Sequence, residues 1–277
     1  MELPLRDPQD SLPPDATPGR SRAPLYVAVA VGAAAALAAF VVFGPRSGER
    51  ATPAAAVSAP SAPGEPTQPL GRPAASVTLP PLDQSDPIVR ELLGKLSTHP
   101  RVAAWLATNE LIRNFTHIVA GVADGQAPVS LAGPLRPAGA FRVAERGRDI
   151  YMDPRSAARY TPLAQAVASI DPVAAAQLYS TLKPRIEDAY REFGEPRASF
   201  DRTLERAIVL LLETPVPPEP FRIEPKGIGY AFADDALEGL APAQKQLLRM
   251  GARNARLIQA TLRAVASALG TPAARLP

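Results

Sequence analysis

The sequence predicts a mainly α-helical protein, in which one transmembrane helix precedes a helical globular domain with two small β-hairpins. Three observations predict it. Residues 24–43 hold no charged residue, running from Pro24-Leu25-Tyr26-Val27 through Ala, Val and Leu to Phe40-Val41-Val42-Phe43. From residue 83 onward, apolar residues recur mostly at spacings of three and four, as in helices with one buried face. Only two short stretches alternate as strands do, at residues 141–152 and 221–232.

The chain divides into four parts. Residues 1–22 are polar and proline-rich and read as a disordered tail. Residues 24–43 follow as the membrane span, since roughly 20 residues at about 1.5 Å each cover the ~30 Å hydrocarbon core. A cleaved secretory signal has an apolar region of about 7–15 residues with a small-x-small site close behind it. Here Gly44-Pro45-Arg46 occupies that place, and Ala54-Ala55-Ala56 lies too far on, so the span reads as an uncleaved anchor. Arg6, Arg20 and Arg22 before it outnumber Arg46 and Arg50 after it, which tips the positive-inside count toward a cytoplasmic N-terminus. Ala28, Gly32 and Ala36 form a small-residue stripe that an alanine-rich helix produces by composition alone. Residues 44–82 hold Pro45, Pro53, Pro60, Pro63, Pro66, Pro69, Pro73, Pro80 and Pro81. They read as a disordered spacer that could reach ~120 Å at about 3.1 Å per residue.

The fourth part, residues 83–277, is long enough for one sizeable core or two small ones. It opens at Asp86-Pro87, with Asp86 as helix cap and Pro87 in the first turn. A second helix starts at His99-Pro100, and a third runs from 110 to 123 with Leu111, Phe115, Ile118, Val119 and Val122 on its apolar side. Residues 126–140 are irregular. The first hairpin turns at Arg146-Gly147-Arg148 and closes at Asp153-Pro154. Helix returns over 156–170 and restarts at Asp171-Pro172. Pro184 lacks a helix donor and predicts a kink or break near 181–183, after which the helix continues to a C-terminal cap at Gly194. Residues 200–214 are strongly apolar and should be buried. The second hairpin turns at Pro225-Lys226-Gly227, and one long helix runs from 242 to 269.

Composition excludes some chemistry. There is no cysteine, so disulfides and thiolate catalysis are out. The net charge of +3 lies in the folded part, and that mild excess does not by itself imply nucleic acid. His99 and His117 are the two histidines. Neither sits in a ligand cluster with zinc spacing, and His99 at a helix start can bond loop backbone instead. Ser180-Thr181-Leu182-Lys183 matches S-x-x-K but lacks its companion elements, and Gly227-Ile228-Gly229 reads as turn glycines. Asp234-Asp235 is placed to cap a short helix containing Leu237 and Leu240. No cofactor is expected.

Several stretches resemble a known family. They are Tyr230-Ala231-Phe232-Ala233-Asp234, Leu237-Glu238-Gly239-Leu240, residues 244–251 with Asn254, Asp153-Pro154 with Arg159-Tyr160, Asp171 with Leu178-Tyr179, and Leu79-Pro80-Pro81-Leu82-Asp83 with Ser85-Asp86-Pro87. Together, over about 82–269, they resemble the bacterial domain of unknown function 3014. The resemblance implies a single-span protein with a proline-rich spacer and a C-terminal domain. It implies no activity and no role for any residue.

The strongest interaction signal lies at the C-terminus. On one helix, Lys245, Arg249, Arg253, Arg256 and Arg263 fall within an arc of roughly 80°, and no acidic residue follows Glu238. Such a stripe could receive anionic lipid, an acidic polymer or an acidic protein surface. Alternatively its arginines pair with Glu187, Asp188 or Glu192 of the same fold. The expectation is a bacterial inner-membrane protein contacting the bilayer through 24–43, its periplasmic domain a binding or scaffold module for an envelope partner, with no nucleic acid. Two alternatives stand beside it: an enzyme acting on an envelope polymer or lipid through carboxylates such as Asp153, Asp171 or Glu238, and a cytoplasmic domain whose arginines meet nucleic acid.

Overall fold

A computed structural model describes residues 70–71, 78–95, 97–127, 136–192 and 199–277. The expected tail, the span at 24–43, most of the spacer and the cap at Gly194 lie outside the described residues. Among the described residues no helix is long and apolar enough to cross a membrane.

The described part is mainly helical with one small antiparallel sheet. Helix α1 spans Asp86–Gly94, α2 Pro100–Leu106 and α3 Leu111–Ala123. His99 caps α2, its Nδ1 accepting the Arg101 amide at 3.2 Å. Asp86 does not cap α1. Ser85 holds that position, and the Asp86 carboxylate turns instead to the start of α3, where its Oδ2 accepts the Glu110 amide at 2.8 Å. All five apolar residues expected on α3 are buried.

Strands β1 (Val143–Arg146) and β2 (Asp149–Met152) form the first hairpin. Strands β3 (Arg222–Lys226) and β4 (Gly229–Phe232) form the second, turning at Gly227 with φ +57°. They are not separate. Ile150 pairs with Ile223 and Tyr151 with Arg222, giving one four-stranded sheet in the order β1-β2-β3-β4. Side chains alternate across a strand. Met152, Ile223 and Phe232 therefore share one face and are buried, while Asp149, Tyr151 and Arg222 share the other.

Between the hairpins lie α4 (Pro154–Ala158), α5 (Thr161–Ala168), α6 (Pro172–Arg191) and α7 (Phe200–Leu212). Asp153 and Asp171 cap α4 and α6, accepting the Arg155 and Ala174 amides, each at 2.7 Å. The single helix expected over 156–170 is two, because Pro162 cannot donate to the Ala158 carbonyl and restarts the coil at Thr161. Pro184 does the opposite of what its chemistry predicts: α6 runs through it unbroken. Leu178, Tyr179, Leu182 and Ile186 are buried on both sides of it, and Pro184 itself is exposed. Packing holds the helix, and the lost hydrogen bond falls on the side where water can replace it.

The chain ends with α8 (Asp235–Glu238), α9 (Pro242–Arg249) and α10 (Ala252–Ala268). The long helix expected over 242–269 is thus divided. Gly251 sits at φ +89°, ψ 150°, a conformation open essentially to glycine alone. A Cβ there would lie 2.5 Å from Ala157 Cβ and 2.9 Å from Glu219 Oε1. The same Glu219 oxygen accepts the first amide of α10, from Ala252, at 2.8 Å, where a negative charge suits the helix dipole.

Two cores result. The larger lies among α1–α3, α5–α7 and α10 and centres on Phe200, whose ring is 5.6 Å from Phe115 and 5.3 Å from Tyr190. The smaller joins the sheet to α4, α8 and α9 through Met152, Ile223, Phe232 and Leu248.

Within the stretch read as spacer, Leu70 and Gly71 are seated on the domain, and Leu79 and Leu82 pack against its main core. Leu70 is 6 % exposed within the main core. Its amide donates to Asp201 Oδ2 at 3.2 Å, and the Gly71 amide donates to the Leu269 carbonyl at 2.8 Å. Asp201 is itself buried and also accepts from the Tyr179 hydroxyl and Lys183 Nζ, each at 2.5 Å. Burial and the Asp201 charge hold the Tyr179 hydroxyl well above its ordinary pKa.

Candidate functional site

The break at Gly251 divides the expected basic stripe. Lys245 and Arg249 belong to α9 and are tied down beside the sheet. Lys245 Nζ lies 3.2 Å from Glu238 Oε1 and donates to the Glu238 carbonyl at 2.9 Å. Glu238 also meets Lys226 Nζ at 3.1 Å and accepts the Phe232 amide at 3.1 Å. Burial pushes the Glu238 carboxyl up, but these donors outweigh it and hold it below the usual range.

Arg253, Arg256 and Arg263 belong to α10 and are exposed. At 100° per residue they still share an arc of about 80°. Arg256 Nη2 donates to the Val216 carbonyl at 2.9 Å and Arg263 Nη2 to the main-chain oxygen of Pro277, the last residue of the sequence, at 2.8 Å. Among the described residues none of the three has an Asp or Glu carboxylate within ion-pair distance. The acids expected as partners serve other helices. Glu192 pairs with Arg113, Asp188 with Arg185 and Arg191, and Glu187 accepts the Phe200 amide.

Arg249 is the unusual member. Its side chain is half-buried where α9 meets the sheet, with Nη2 donating to the Tyr230 carbonyl at 3.2 Å and Cζ 5.5 Å from the Phe232 ring centroid. It has no carboxylate within ion-pair distance among the described residues, and burial presses its pKa down against the opposing charge of Glu238. Beside it stand two buried polar groups. Tyr160 is 2 % exposed and Gln246 3 %. Burial raises the Tyr160 hydroxyl's pKa, while Arg159, the Gln246 amide and Arg249 oppose the rise. The Gln246 side chain acts on Tyr160 through a hydrogen bond, and neither of its polar atoms has a further partner. Arg159 has its Cζ 5.3 Å from the tyrosine ring centroid and its Nη1 donating to the Gly139 carbonyl at 2.6 Å. A cavity of about 10 Å³ between Phe141, Met152, Ile223, Phe232 and Arg249 adjoins the guanidinium.

Asn254 fastens this junction from α10. Its Nδ2 donates to the Met250 carbonyl at 2.8 Å and the Ala157 carbonyl at 3.1 Å. Of the five residues that sequence reasoning placed in a binding role, Lys245, Arg249, Arg253, Arg256 and Arg263, only Lys245 and Arg249 fall at this junction. That reasoning missed Tyr160, Gln246 and Arg159 as their neighbours, although the stretches carrying the family resemblance contain all three.

A family model described as a protein of unknown function, DUF3014, matches residues 111–266, more than half of the chain. The chain belongs to the DUF3014 family. The DUF3014 match starts at the first residue of α3 and ends near the close of α10, so it holds the sheet, the junction and the arginine face. It leaves out α1 and α2, which the sequence resemblance included. No curated protein and no solved structure matches the chain.

The remaining candidates on this DUF3014 chain have structural positions. Lys183 of the S-x-x-K match pairs with Asp201, and Ser180 Oγ donates to the Ala176 carbonyl at 2.9 Å. Asp234 caps α8 through the Ala236 amide at 2.8 Å. Asp153, Asp171 and Glu238 are engaged as helix caps or with lysines. His117 is exposed on α3. Among the described residues no group of three or more His, Asp or Glu could hold a metal ion.

Proposed function

We propose that this DUF3014 protein is a single-pass bacterial inner-membrane protein, anchored by residues 24–43, whose helical domain works in the periplasm as a binding module for an acidic envelope partner. The observation that carries the reading is the exposed face of α10. Arg253, Arg256 and Arg263 point one way, and among the described residues no acidic side chain neutralises them. Exposed guanidiniums without an acidic side-chain partner keep their field for an approaching anionic surface. The uncharged run before the domain supports the anchor, and the proline-rich stretch supports reach from it. The enzyme reading loses its favoured groups, since Asp153 and Asp171 are committed to helix caps and Glu238 to two lysines.

The test places a photo-crosslinking residue at Ala260, exposed within the arginine arc, in the full-length protein in living cells. The expected result is an adduct with an envelope component that weakens about tenfold in the triple variant R253Q/R256Q/R263Q, as the loss of three rim charges implies. An adduct of unchanged strength, or none, overturns the arginine face. A C-terminal reporter active only in the periplasm is expected to be on. A silent reporter would replace this reading with the cytoplasmic one.

A further inference from the structure

Leu70 and Gly71 dock on the domain from the proline-rich stretch. The Leu70 side chain is buried in the main core. Its amide donates to the Asp201 carboxylate, and the Gly71 amide donates to the Leu269 carbonyl. Three elements therefore line the seat: α6 against Gly71, the first turn of α7 with Asp201, and the end of α10 at Leu269. The domain holds its own acceptor ready. Asp201 has the Tyr179 hydroxyl and Lys183 Nζ as further donors, so the carboxylate stays satisfied when the Leu70 amide leaves.

The seat also reads the residue after the leucine. Gly71 has φ +85°, and a Cβ there would strike Ser180 Oγ, so the position takes glycine. Ser180 and Lys183, which the S-x-x-K match singled out, both serve this seat: one selects the glycine and the other holds Asp201. The α6 and α7 residues lie within the DUF3014 match, whereas Leu70 and Gly71 lie well before it. Chain connectivity does not force the pair into place. The next anchored carbonyl is that of Leu79, which accepts from Arg185 Nη2 at 3.4 Å. Ser180 to Arg185 is about 7.5 Å along α6, while the chain from Gly71 to Leu79 can reach about 26 Å. The contacts themselves keep Leu70 seated.

We propose that this cleft is a recognition site for a Leu–Gly step of peptide chain, and that residues 70–71 occupy it in cis as a releasable latch that opens while the domain stays folded. One leucine side chain and two amides hold the latch, far fewer contacts than hold the core, so it opens first. Its effect on reach rests on the anchor proposed above. Release would add residues 70–78 to the tether, about 28 Å at ~3.1 Å per residue, before the chain meets Leu79 packed on the core.

The chain contains no cysteine, so L70C gives the full-length protein its sole thiol. Its alkylation by N-ethylmaleimide in detergent reads how often the seat opens. The native rate is expected to be at least about tenfold below the rate in concentrated urea, and nearly independent of urea below the unfolding transition. G71A added to L70C should raise the native rate about tenfold while the helical melting temperature falls by less than about 2 °C. A rate that appears only with global unfolding makes Leu70 ordinary core and overturns the latch, as does a rate that G71A leaves unchanged. A rate that varies with protein concentration assigns the seat to a second copy's segment and overturns the cis reading. If L70C reacts as fast natively as in urea, exchange of the Gly71 amide in the unsubstituted protein decides: slow exchange shows that the substitution weakened a real seat, and fast exchange overturns it. Neither R253Q/R256Q/R263Q nor the periplasmic reporter bears on these rates, so failure here is separable from failure of the α10 reading and of the anchor.

Discussion

The Asp86 carboxylate caps a helix that is not its own: its Oδ1 accepts the Leu111 amide, at the start of α3, at 2.9 Å. Its other oxygen takes the Glu110 amide at 2.8 Å and lies 3.3 Å from Arg90 Nη2. Glu110 has φ +55°, the only positive φ at a non-glycine residue in the described chain. The carboxylate pins the turn that needs that conformation. D86A should therefore destabilise the domain by about 1–2 kcal/mol, as loss of a helix cap does, and lower the melting temperature by roughly 3–6 °C. D86N, which can still accept through one oxygen, should cost less. Equal melting of D86A and wild type would show that water replaces the cap.

Gly251 should tolerate no side chain. Its φ of +89° and the 2.5 Å approach of Ala157 Cβ act together. G251A is expected to cost about 3 kcal/mol or more, measured by chemical denaturation. A loss below about 1 kcal/mol would mean that α9 and α10 can rejoin as one helix.

Asp201 should hold the Leu70–Gly71 segment in place. D201A strands Lys183 and the Tyr179 hydroxyl in a mostly buried site, which is expected to cost about 3–5 kcal/mol. The milder D201N should speed hydrogen exchange at the Leu70 amide while exchange along α3 stays slow. If the Leu70 amide exchanges as fast in wild type as in D201N, the seat is not formed in solution.

Glu238 should shape the acid limb of stability. Its folded pKa is lowered from an ordinary value of 4.5, so the folded state holds the proton more weakly than the unfolded chain. The group then contributes fully above about pH 4.5, and the contribution disappears as pH falls through the folded value. E238Q should be less stable than wild type at pH 7 and should lose less between pH 5 and 3. Parallel curves for the two proteins would show that Lys226 and Lys245 do not stabilise the carboxylate.

Much of the helical layout was legible because caps and prolines act locally. His99, Asp171 and Asp234 each bind amides two or three residues ahead, within reach of sequence reasoning. What sequence could not reveal depended on distant partners. Asp86 looks like a cap for the helix it begins, and only the fold brings the α3 start 25 residues away to it. Pro184 looks like a breaker until the burial on either side of it is known. Gly251 was readable as a residue but not as a break, because its strain comes from Ala157 and Glu219 across the junction. The two hairpins join through two residue pairs that no local alternation encodes. The α9–sheet junction was half legible: Lys245 and Arg249 stood out by charge, while Gln246 and Tyr160 are marked out by burial, which a sequence does not display.

The seat of Leu70 and Gly71 also fixes where mechanical load would enter the domain. With the proposed anchor, the stretch left to act as a tether is residues 44–69 rather than 44–82. Its limit at about 3.1 Å per residue is ~80 Å, against the ~120 Å of the whole stretch. Any pull along it is borne first at Asp201 and at the carbonyl of Leu269, just past the last turn of α10. The domain would then hang from the C-terminal end of its arginine helix. Its working radius around the anchor would lengthen only when that grip lets go.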